Sequence, residues 1–594
     1  MSHMTMLNTN FDWEMKQFYT DEKNVQILIS LLKQHGIKRI IASPGSTNVT
    51  FVGSCQQDPF FEMYSCVDER SAAYMACGMA AQTKEPVVIS CTGATASRNY
   101  FSALTEAYYR KLPILAITST QDENKIGHLI PQVIDRSQQP KDIVKMSVHL
   151  QNVKDKDDEW DCMLKANKAI LELWHHGFGP VHINLSTRYS ADFSVRELPV
   201  AHKINRISQS DIFPEIKSKK IAVAIGSHLR FSDKEISAID CFCESYNAVV
   251  FTDVTSNYTG KYKVLYDIVA CQDVNYASKN PELLIHIGEM SDQIGKFGRT
   301  NEVWRVSESG EIQDRFRKLT NVFEMPEMLF FEHYSQNRQP VECSYYKACM
   351  DDCQRLWNKI PELPFSHIWI ASQLYDKLPD NSVLHLGILS PLRSWSYFNI
   401  NSNIEVYCNQ GGFGIDGNMS SMIGASLAAP DKLFFAAVGD LSFFYDMNIL
   451  GNRHIGENVR ILFINNALGS EFHLFKQLNS IYVDGISQYL SAGGHFGQKS
   501  PNLVRHYAED LGFEYLSANN KDEFISKYQR FVVPEKTGKP MIFEIFTDVD
   551  DENQALWNIW HMEEDHSIKG ETKKIVKKFL NKNTVEKVKS LVKK

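Results

Sequence analysis

The sequence predicts an α/β protein made of three doubly wound parallel-sheet domains, and three observations predict it. Short runs that are apolar throughout, such as Pro86 to Cys91, Leu433 to Val438 and Val459 to Ile464, have the composition of strands buried on both faces. Between such runs lie segments whose apolar residues fall at helical spacing, among them Ser71 to Gln82 and the set Phe443, Phe444, Met447 and Leu450. The turns that follow the strands carry the polar chemistry: Ser43-Pro44-Gly45-Ser46, Asp68-Glu69-Arg70, Thr92-Gly93-Ala94-Thr95, Gly439-Asp440 and Asn465-Asn466. Those turns lie at the carboxyl ends of the strands, where open parallel sheets hold their ligands.

Composition narrows the class further. A chain of 594 residues accommodates about three or four domains. Its 43% hydrophobic and 23% charged residues fit a folded globular protein rather than a disordered one. A formal net charge of -8 argues against nucleic acid as the default partner. No apolar run approaches the roughly 20 residues of a membrane span. The opening Met1-Ser2-His3-Met4 reads as a cloning remnant within an N-terminal arm over 1–20, and nothing after it resembles a secretory segment, so a cytoplasmic location is expected. The twelve cysteines form no CxxC pair and several fall in apolar elements, which fits reduced thiols.

Taken in order, the first domain is expected over 21–195. Val25 to Leu32 reads as a helix, Arg39 to Ala42 and Phe61 to Cys66 as strands, Ser71 to Gln82 as an Ala- and Met-rich helix and Pro86 to Cys91 as a strand. The helix Tyr100 to Arg110 and the strands Ile114 to Thr118 and Val181 to Leu185 complete it. A second alternating pattern is expected over 199–337, with strands at Ile221 to Gly226, Ala248 to Thr252, Leu283 to Gly288 and Val303 to Val306. No GxGxxG loop occurs there, which favours a structural domain over a nucleotide-binding one. Glu332 to Ser344 reads as a linker. The third domain is expected over 345–562: a helix at Ile368 to Tyr375, strands at Val383 to Gly387 and Ile404 to Cys408, a glycine-rich loop Gln410 to Gly417 and a helix of small residues at Ser420 to Ala429. The two long apolar strands and their crossover helix follow, then helices near Leu503 to Asp510 and Phe524 to Phe531, and a strand Pro540 to Phe546. The lysine-rich tail over 563–594 reads as a solvated terminal helix from Ile568 onward.

Two places carry candidate chemistry on residue type alone. Asp440 and Asn466 stand about 25 residues apart at the ends of neighbouring strands, and a carboxylate, an amide oxygen and a nearby backbone carbonyl form the hard oxygen set that suits Mg²⁺. Glu69 lies where a strand runs into an Ala-rich helix, a setting in which its carboxylate should be poorly solvated and its pKa raised. Asp68-Glu69 at a helix start is also what a capping and dipole arrangement looks like, and residue type leaves both readings open.

The stretch GDL…NNALGSEF, together with SPGS, DERSAAYMACGMA and CTGATASRNY in this order, resembles the thiamine-diphosphate (ThDP) enzymes. The resemblance implies three domains of the ThDP-enzyme type: pyrimidine-binding, central and diphosphate-binding. It implies ThDP and Mg²⁺ as cofactors, with Asp440, Asn466 and the carbonyl of Leu468 as metal ligands. Glu69 becomes the acid that contacts the aminopyrimidine and tunes its protonation. Ser43, Gly45, Thr92, Gly93, Gly412, Phe413, Ile415, Gly439, Leu441 and Ser442 become cofactor contacts, Ile415 as the apolar buttress under the bent cofactor. Within the superfamily the chain is most similar to the menaquinone-pathway SEPHCHC synthases, through SPGS, DERSAA, the GIDG loop, GDLSFFYDMN and NN…F. That match makes Arg393 the grip on a substrate carboxylate, Gln132 a substrate hydrogen-bond donor, and Glu471 and Phe472 the lining of the substrate side. Asn48 and Gln410 stand where those synthases place arginines or their neighbours.

The implied activity is decarboxylation of a 2-oxo acid and transfer of the acyl carbanion equivalent to an acceptor. A simple decarboxylase releasing an aldehyde and a non-catalytic binding protein of the same fold are the alternatives. Candidates for proton transfer are Glu471, His128, His473 and His495. Departures from the synthases are specific: Thr47-Asn48 after SPGS, Ser119-Thr120-Gln121 after the fourth strand and Asn409-Gln410-Gly411 replace motifs with arginine, and Glu471 adds an acid. Each lost charged hydrogen bond is worth roughly 1.5–3 kcal/mol, so a substrate less anionic than a pair of dicarboxylates is expected. The family also implies a homodimer or dimer of dimers, with Glu69 of one copy and Asp440 of another sharing each site.

Overall fold

The computed structural model describes residues 18–136, 138–272, 274, 276–292, 300–474, 489–495 and 499–563. The terminal helix expected from Ile568 onward and the opening remnant lie outside them. The chain divides into two compact units, Met1–Asp211 with Gly310–Val322, and Ile212–Ser309 with Phe323–Lys594.

The first unit carries six parallel strands, Arg39–Ala42 (β1), Glu62–Ser65 (β2), Val87–Cys91 (β3), Ile114–Thr120 (β4), Met146–Leu150 (β5) and Val181–Ser186 (β6), in the order β2-β1-β3-β4-β6-β5. β3, β4 and β6 are buried along their whole length because both faces are covered. One face packs the helices Lys23–Gln34 and Lys156–Glu172 through Leu28, Leu31, Ala166 and Ile170. The other packs Glu69–Thr83 and Phe101–Arg110 through Ala72, Ala76, Ala103 and Ala107, where small side chains let helix and sheet approach closely. A short strand Asn205–Ser208 (β7) follows. The arm expected over 1–20 is anchored at its end: Tyr19 is buried, bridges Val195, and donates its hydroxyl to Asp58 at 2.6 Å.

The second unit holds two further sheets. Ile221–Ile225 (β8), Ala248–Thr252 (β9), Lys263–Leu265 (β10), Leu283–Ile287 (β11) and Glu302–Ser307 (β12) pair in parallel in the order β10-β9-β8-β11-β12. Leu319–Glu324 (β13) is a strand that runs across the boundary between the units. The last sheet is wholly parallel, β15-β14-β16-β17-β19-β18, from Val383–Leu386 (β14), Glu405–Cys408 (β15), Phe434–Gly439 (β16), Val459–Asn465 (β17), Glu514–Ala518 (β18) and Met541–Phe546 (β19). The expected fold class, three α/β parallel-sheet layers, is therefore the observed one.

Four differences have physical reasons. The strand Met146–Leu150 and the helix Lys156–Glu172 were not expected. The strand is a half-buried edge and the helix opens on a run of acids, capped by Asp155, that reads as solvent-facing. Glu514–Ala518 is the matching half-buried edge of the last sheet. The expected linker from Glu332 begins later, because Glu332 to Ser335 finish the helix Glu327–Ser335 on the aromatic cluster of Phe330, Phe331 and Tyr334. The crossover after β16 is not one helix: Asp440–Asp446 is α-helical and Met447–Gly451 tightens into a 3₁₀ turn. All twelve cysteines are free thiols.

One buried group makes stability depend on pH. His182 on β6 is sandwiched between the Thr118 hydroxyl at 2.7 Å from Nε2 and the Ser147 hydroxyl at 2.8 Å from Nδ1. Burial, and after it the charges of Arg136 and Arg98, push its imidazole down to about 3. Between the ordinary histidine value and that one, the unfolded chain binds a proton that the folded chain refuses. Stability is therefore full above about pH 6.5 and falls on acidification, by about 2 kcal/mol from this group between pH 7 and 5. Urea midpoints at those two pH values should differ less in His182→Asn than in the parent chain, and an equal difference would count against this assignment.

Candidate active site

In the second unit the site is built by the register of β16 and β17. Gly439 pairs with Ile464, so Asp440 and Asn466 leave the sheet at adjacent carboxyl ends. Both are buried, at 6% and 8% exposure, and Asp440 makes no ion pair among the described residues. Its carboxylate accepts from the Leu441 N–H at 2.7 Å, yet burial pushes its pKa up to about 7. A buried carboxylate that makes no ion pair among the described residues fits a cation ligand. Asn466 Oδ1 accepts from the Leu468 N–H at 3.4 Å. The preceding Asn465 has another task. Its amide donates to Glu544 at 2.7 Å and its Oδ1 accepts from Ala467, which turns the chain at φ +67°. Space is available beside Asp440, where a Cβ on Gly439 would meet no atom within 4 Å, and in the glycine-rich loop, where the same holds at Gly411 and Gly412. The hard oxygens and the open cradle fit Mg²⁺ bound to a diphosphate.

The glycine-rich loop is tied to the same helix. Ser442 donates to the Ile415 carbonyl at 2.6 Å, and Asn418 Nδ2 donates to that carbonyl at 3.0 Å and to the Ser442 hydroxyl at 2.9 Å. Ile415 is thereby fixed, half-buried, while Phe413 stands exposed on a left-handed residue with φ +51°. Leu441 packs under Gly469, where a Cβ would come within 3.0 Å of Leu441 Cδ1.

Two of the residues expected to meet substrate have partners within the chain. Arg393, in the short helix Ser390–Trp395 after β14, is not open to a carboxylate. Its guanidinium meets Glu471 in a fork, Nη2 to Oε1 at 2.6 Å and Nη1 to Oε2 at 3.1 Å, with side-chain exposures of 10% and 16%. The acid expected to move protons and the arginine expected to hold substrate are thus committed to each other. Gln410 is 2% exposed and spent internally, Oε1 accepting from the Asp292 N–H at 2.8 Å and Nε2 donating to Thr255 Oγ1 at 3.0 Å. Phe472, beside Glu471 in the 3₁₀ turn Ser470–His473, is half-buried.

In the first unit, the strand ends of β1 and β3 interlock. Thr47 and Thr92 share a hydroxyl contact, and a Cβ on Gly45 would come within 2.5 Å of Thr92 Cβ. Gly93 is closed over by the Gln132 carbonyl, 2.9 Å from where its Cβ would be. Gln132 itself is exposed on left-handed backbone, φ +66°. Asn48 is a structural residue, donating to the Ser43 carbonyl at 3.0 Å, and Ser43 is buried beneath it. Glu69 opens the helix Glu69–Thr83. Contrary to the expectation of a poorly solvated acid, it is half-buried within the single chain and accepts from Asn99 Nδ2 at 3.2 Å. Capping falls to Asp68, whose Oδ1 accepts from Arg70 and Ser71. Among the proton-transfer candidates, His128 and His495 are exposed, and His473 Nε2 lies 3.2 Å from the Ser491 hydroxyl.

Sequence reasoning missed His367. Its Nδ1 lies 2.9 Å from Glu552 Oε1, its backbone N–H donates to both Glu552 oxygens, and its buried Nε2 has no hydrogen-bond partner among the described residues. It stands near enough to Asp440 to act electrostatically on that carboxylate. Only a serine cap, Ser366, marked that helix start in the sequence.

These features define a class. Residues 23–141 match the family described as thiamine pyrophosphate enzyme, N-terminal TPP binding domain. Along nearly its whole length the chain is similar to 2-succinyl-5-enolpyruvyl-6-hydroxy-3-cyclohexene-1-carboxylate (SEPHCHC) synthases. It is 31% identical to that of Bacteroides thetaiotaomicron and 32% identical to that of Bacteroides fragilis, each over 91% of this chain and 99% of the relative. Against the Flavobacterium psychrophilum synthase the identity is 29%, over 90% and 97%. The chain belongs to the SEPHCHC synthase family of thiamine-diphosphate enzymes.

Proposed function

We propose that this protein is a ThDP- and Mg²⁺-dependent carboligase that decarboxylates a 2-oxo acid and transfers the acyl fragment to an acceptor less anionic than a second dicarboxylate. The observation that carries the reading is the placement of Asp440 and Asn466 on adjacent strand ends beside an open glycine cradle. Bound ThDP supplies a carbon that stabilises the carbanion left when carbon dioxide departs. Asp440 and Asn466 would hold the cation on its diphosphate, with Leu468 in the same turn. Ile415, fixed through its carbonyl, would press on the cofactor from the apolar side, and Glu69 would hold a proton against its ring. Phe472 would line the substrate side of the second unit's site, and Gln132 would offer a hydrogen bond from the first unit.

The altered acceptor is supported by charge. The resemblance implies arginines in the family where this chain has Thr47-Asn48, Ser119 to Gln121 and Gln410, and Arg393 is neutralised by Glu471. A homodimer in the cytoplasm is part of the proposal. Exposed apolar side chains cluster in sequence around Glu69 (Val67 at 79%, Tyr74 at 46%, Met75 at 39%) and around the cofactor loop (Phe413 at 42%, Tyr445 at 65%), as surfaces meant for burial do.

Titration with ThDP and Mg²⁺, followed by assay of carbon dioxide release from a panel of 2-oxo acids, tests the reading. Asp440→Ala should fail to bind ThDP at millimolar Mg²⁺, a loss of about 100-fold or more, because the cation loses its only carboxylate on this strand end. Unchanged affinity would remove Asp440 from the metal site.

A further inference from the structure

A recess of about 390 Å³, counting its open mouth, lies wholly within the second unit. One wall is the chain that follows β9 together with the edge strand β10, whose Lys263 and Leu265 alternate to the same face. The other wall is the segment that runs from Phe398 into β15. Asn257 ties the two together: its Nδ2 donates to the Val406 carbonyl at 3.0 Å and its Oδ1 accepts from the Val406 N–H at 2.8 Å.

The recess is unbalanced in charge. Two cations, Lys263 and Arg230, line it, and no carboxylate does. Neither cation makes an ion pair or a side-chain hydrogen bond among the described residues, whereas polar groups beside them are spent. The Tyr258 hydroxyl donates to Asp240 at 2.6 Å, and the Asn401 amide donates to Asp380. The acids that act on the two cations are engaged elsewhere. Asp253 accepts from Thr255 Oγ1 at 2.7 Å, from Ser256 Oγ at 3.3 Å and from Ser291 Oγ. Glu405 accepts from Lys432 at 2.9 Å and from the Tyr407 hydroxyl at 2.6 Å. Arg230 is exposed at the mouth, but Lys263 is half-buried. Burial pushes its ammonium down to about 8, so it is still a cation at pH 7. A desolvated cation without a partner is costly, and an anion beside it offsets that cost.

The walls select the anion. Val254, Leu265, Phe398, Ile400, Ile404 and Val406 make them apolar. One inner ammonium between such walls matches a single negative charge; a phosphate dianion would bring a second charge into apolar surroundings, where desolvation opposes it. The volume is at the low end for ligand sites, which limits the apolar body to a few carbons. We propose that this recess binds a short aliphatic monocarboxylate, with its carboxylate on Lys263, its chain against the apolar walls and Arg230 at the mouth. None of the lining residues is among those assigned to cofactor, metal or substrate, and the site does not rest on the function proposed above.

Reductive methylation of the full-length protein with formaldehyde and cyanoborohydride, in the presence of ThDP and Mg²⁺ and read by peptide mass spectrometry, tests the site at Lys263 itself. Butyrate is the probe, and butyramide, its uncharged counterpart, is the control. Butyrate should slow methylation of Lys263 along a saturable curve, by about tenfold at about ten times the half-saturating concentration. Lys261, exposed two residues away, should react at an unchanged rate, and butyramide should protect neither. In calorimetric titration Lys263→Met should weaken butyrate by about 10- to 150-fold, the worth of a charged hydrogen bond, with ThDP affinity unchanged. Should that variant fail to fold, labelling of the parent chain decides alone. Absence of saturable protection, equal protection by butyramide, equal slowing at Lys261, or unchanged butyrate affinity in Lys263→Met overturns the proposal. Protection by inorganic phosphate in place of butyrate overturns the monocarboxylate assignment.

Discussion

Replacing Glu69 with alanine is expected to lower turnover by about 10²- to 10⁴-fold, the usual worth of a positioned acid–base group, while Mg²⁺ and ThDP still bind. The reason lies in how two adjacent acids divide the work at one helix start. Asp68 occupies the cap, and its carboxylate takes the Arg70 and Ser71 N–H groups and the Ser71 hydroxyl. Among the described residues Glu69 accepts a hydrogen bond from the Asn99 amide and contributes nothing to starting the helix that Asp68 does not already provide. An acid held half-buried at a helix N-terminus with no structural duty is available for chemistry. Because that side chain is half exposed, its removal should leave the unfolding midpoint nearly unchanged. Fluorescence titration of ThDP and single-turnover release of carbon dioxide separate the two roles. Loss of cofactor binding in step with turnover would make Glu69 a binding residue, and retained turnover would remove it from the reaction.

The division between Asp68 and Glu69 shows where sequence reading reaches its limit. Alternating apolar strands and amphipathic helices announce the three sheets, because a strand buried on both faces must be apolar throughout. The GD and NN pairs stand out because polar residues at the ends of such strands have few structural reasons to be there. What the two members of a pair do is another matter. Asn465 anchors β19 through Glu544, whereas Asn466 takes the Leu468 N–H of the following turn, a distinction set by backbone direction after Ile464 rather than by residue type. Edge strands such as Met146–Leu150 and Glu514–Ala518 were hidden because half-exposed residues carry mixed composition. Arg136 was hidden in a polar loop whose composition says surface, although its side chain turns inward. The pairing of Arg393 with Glu471, and of Gln410 with Asp292 and Thr255, joins residues far apart in the chain and leaves no local pattern.

The Arg393–Glu471 pair carries the other large effect. Glu471→Leu should destabilise the protein by about 3–5 kcal/mol, because removing one partner strands a guanidinium that is 9% exposed. The double replacement Arg393→Met with Glu471→Leu should recover most of that loss, since the cost arises from the unpaired charge and not from missing attraction. Urea midpoints of the two single variants and the double variant close the cycle; additive losses would mean that the fork is not an energetic unit. The same substitution bears on specificity. Glu471 fills the arginine's fork as a substrate carboxylate would, so the protein carries its own occupant for that position. In Glu471→Leu the fork is vacated, and a dicarboxylic 2-oxo acid should gain affinity relative to a monocarboxylic one, by about tenfold or more for a charge-assisted bidentate contact. Competition between 2-oxoglutarate and pyruvate for the parent and variant enzymes reads that shift directly. If the ratio does not move, Arg393 does not face the substrate even when free, and the neutralised arginine is a packing element of the last sheet rather than a specificity determinant.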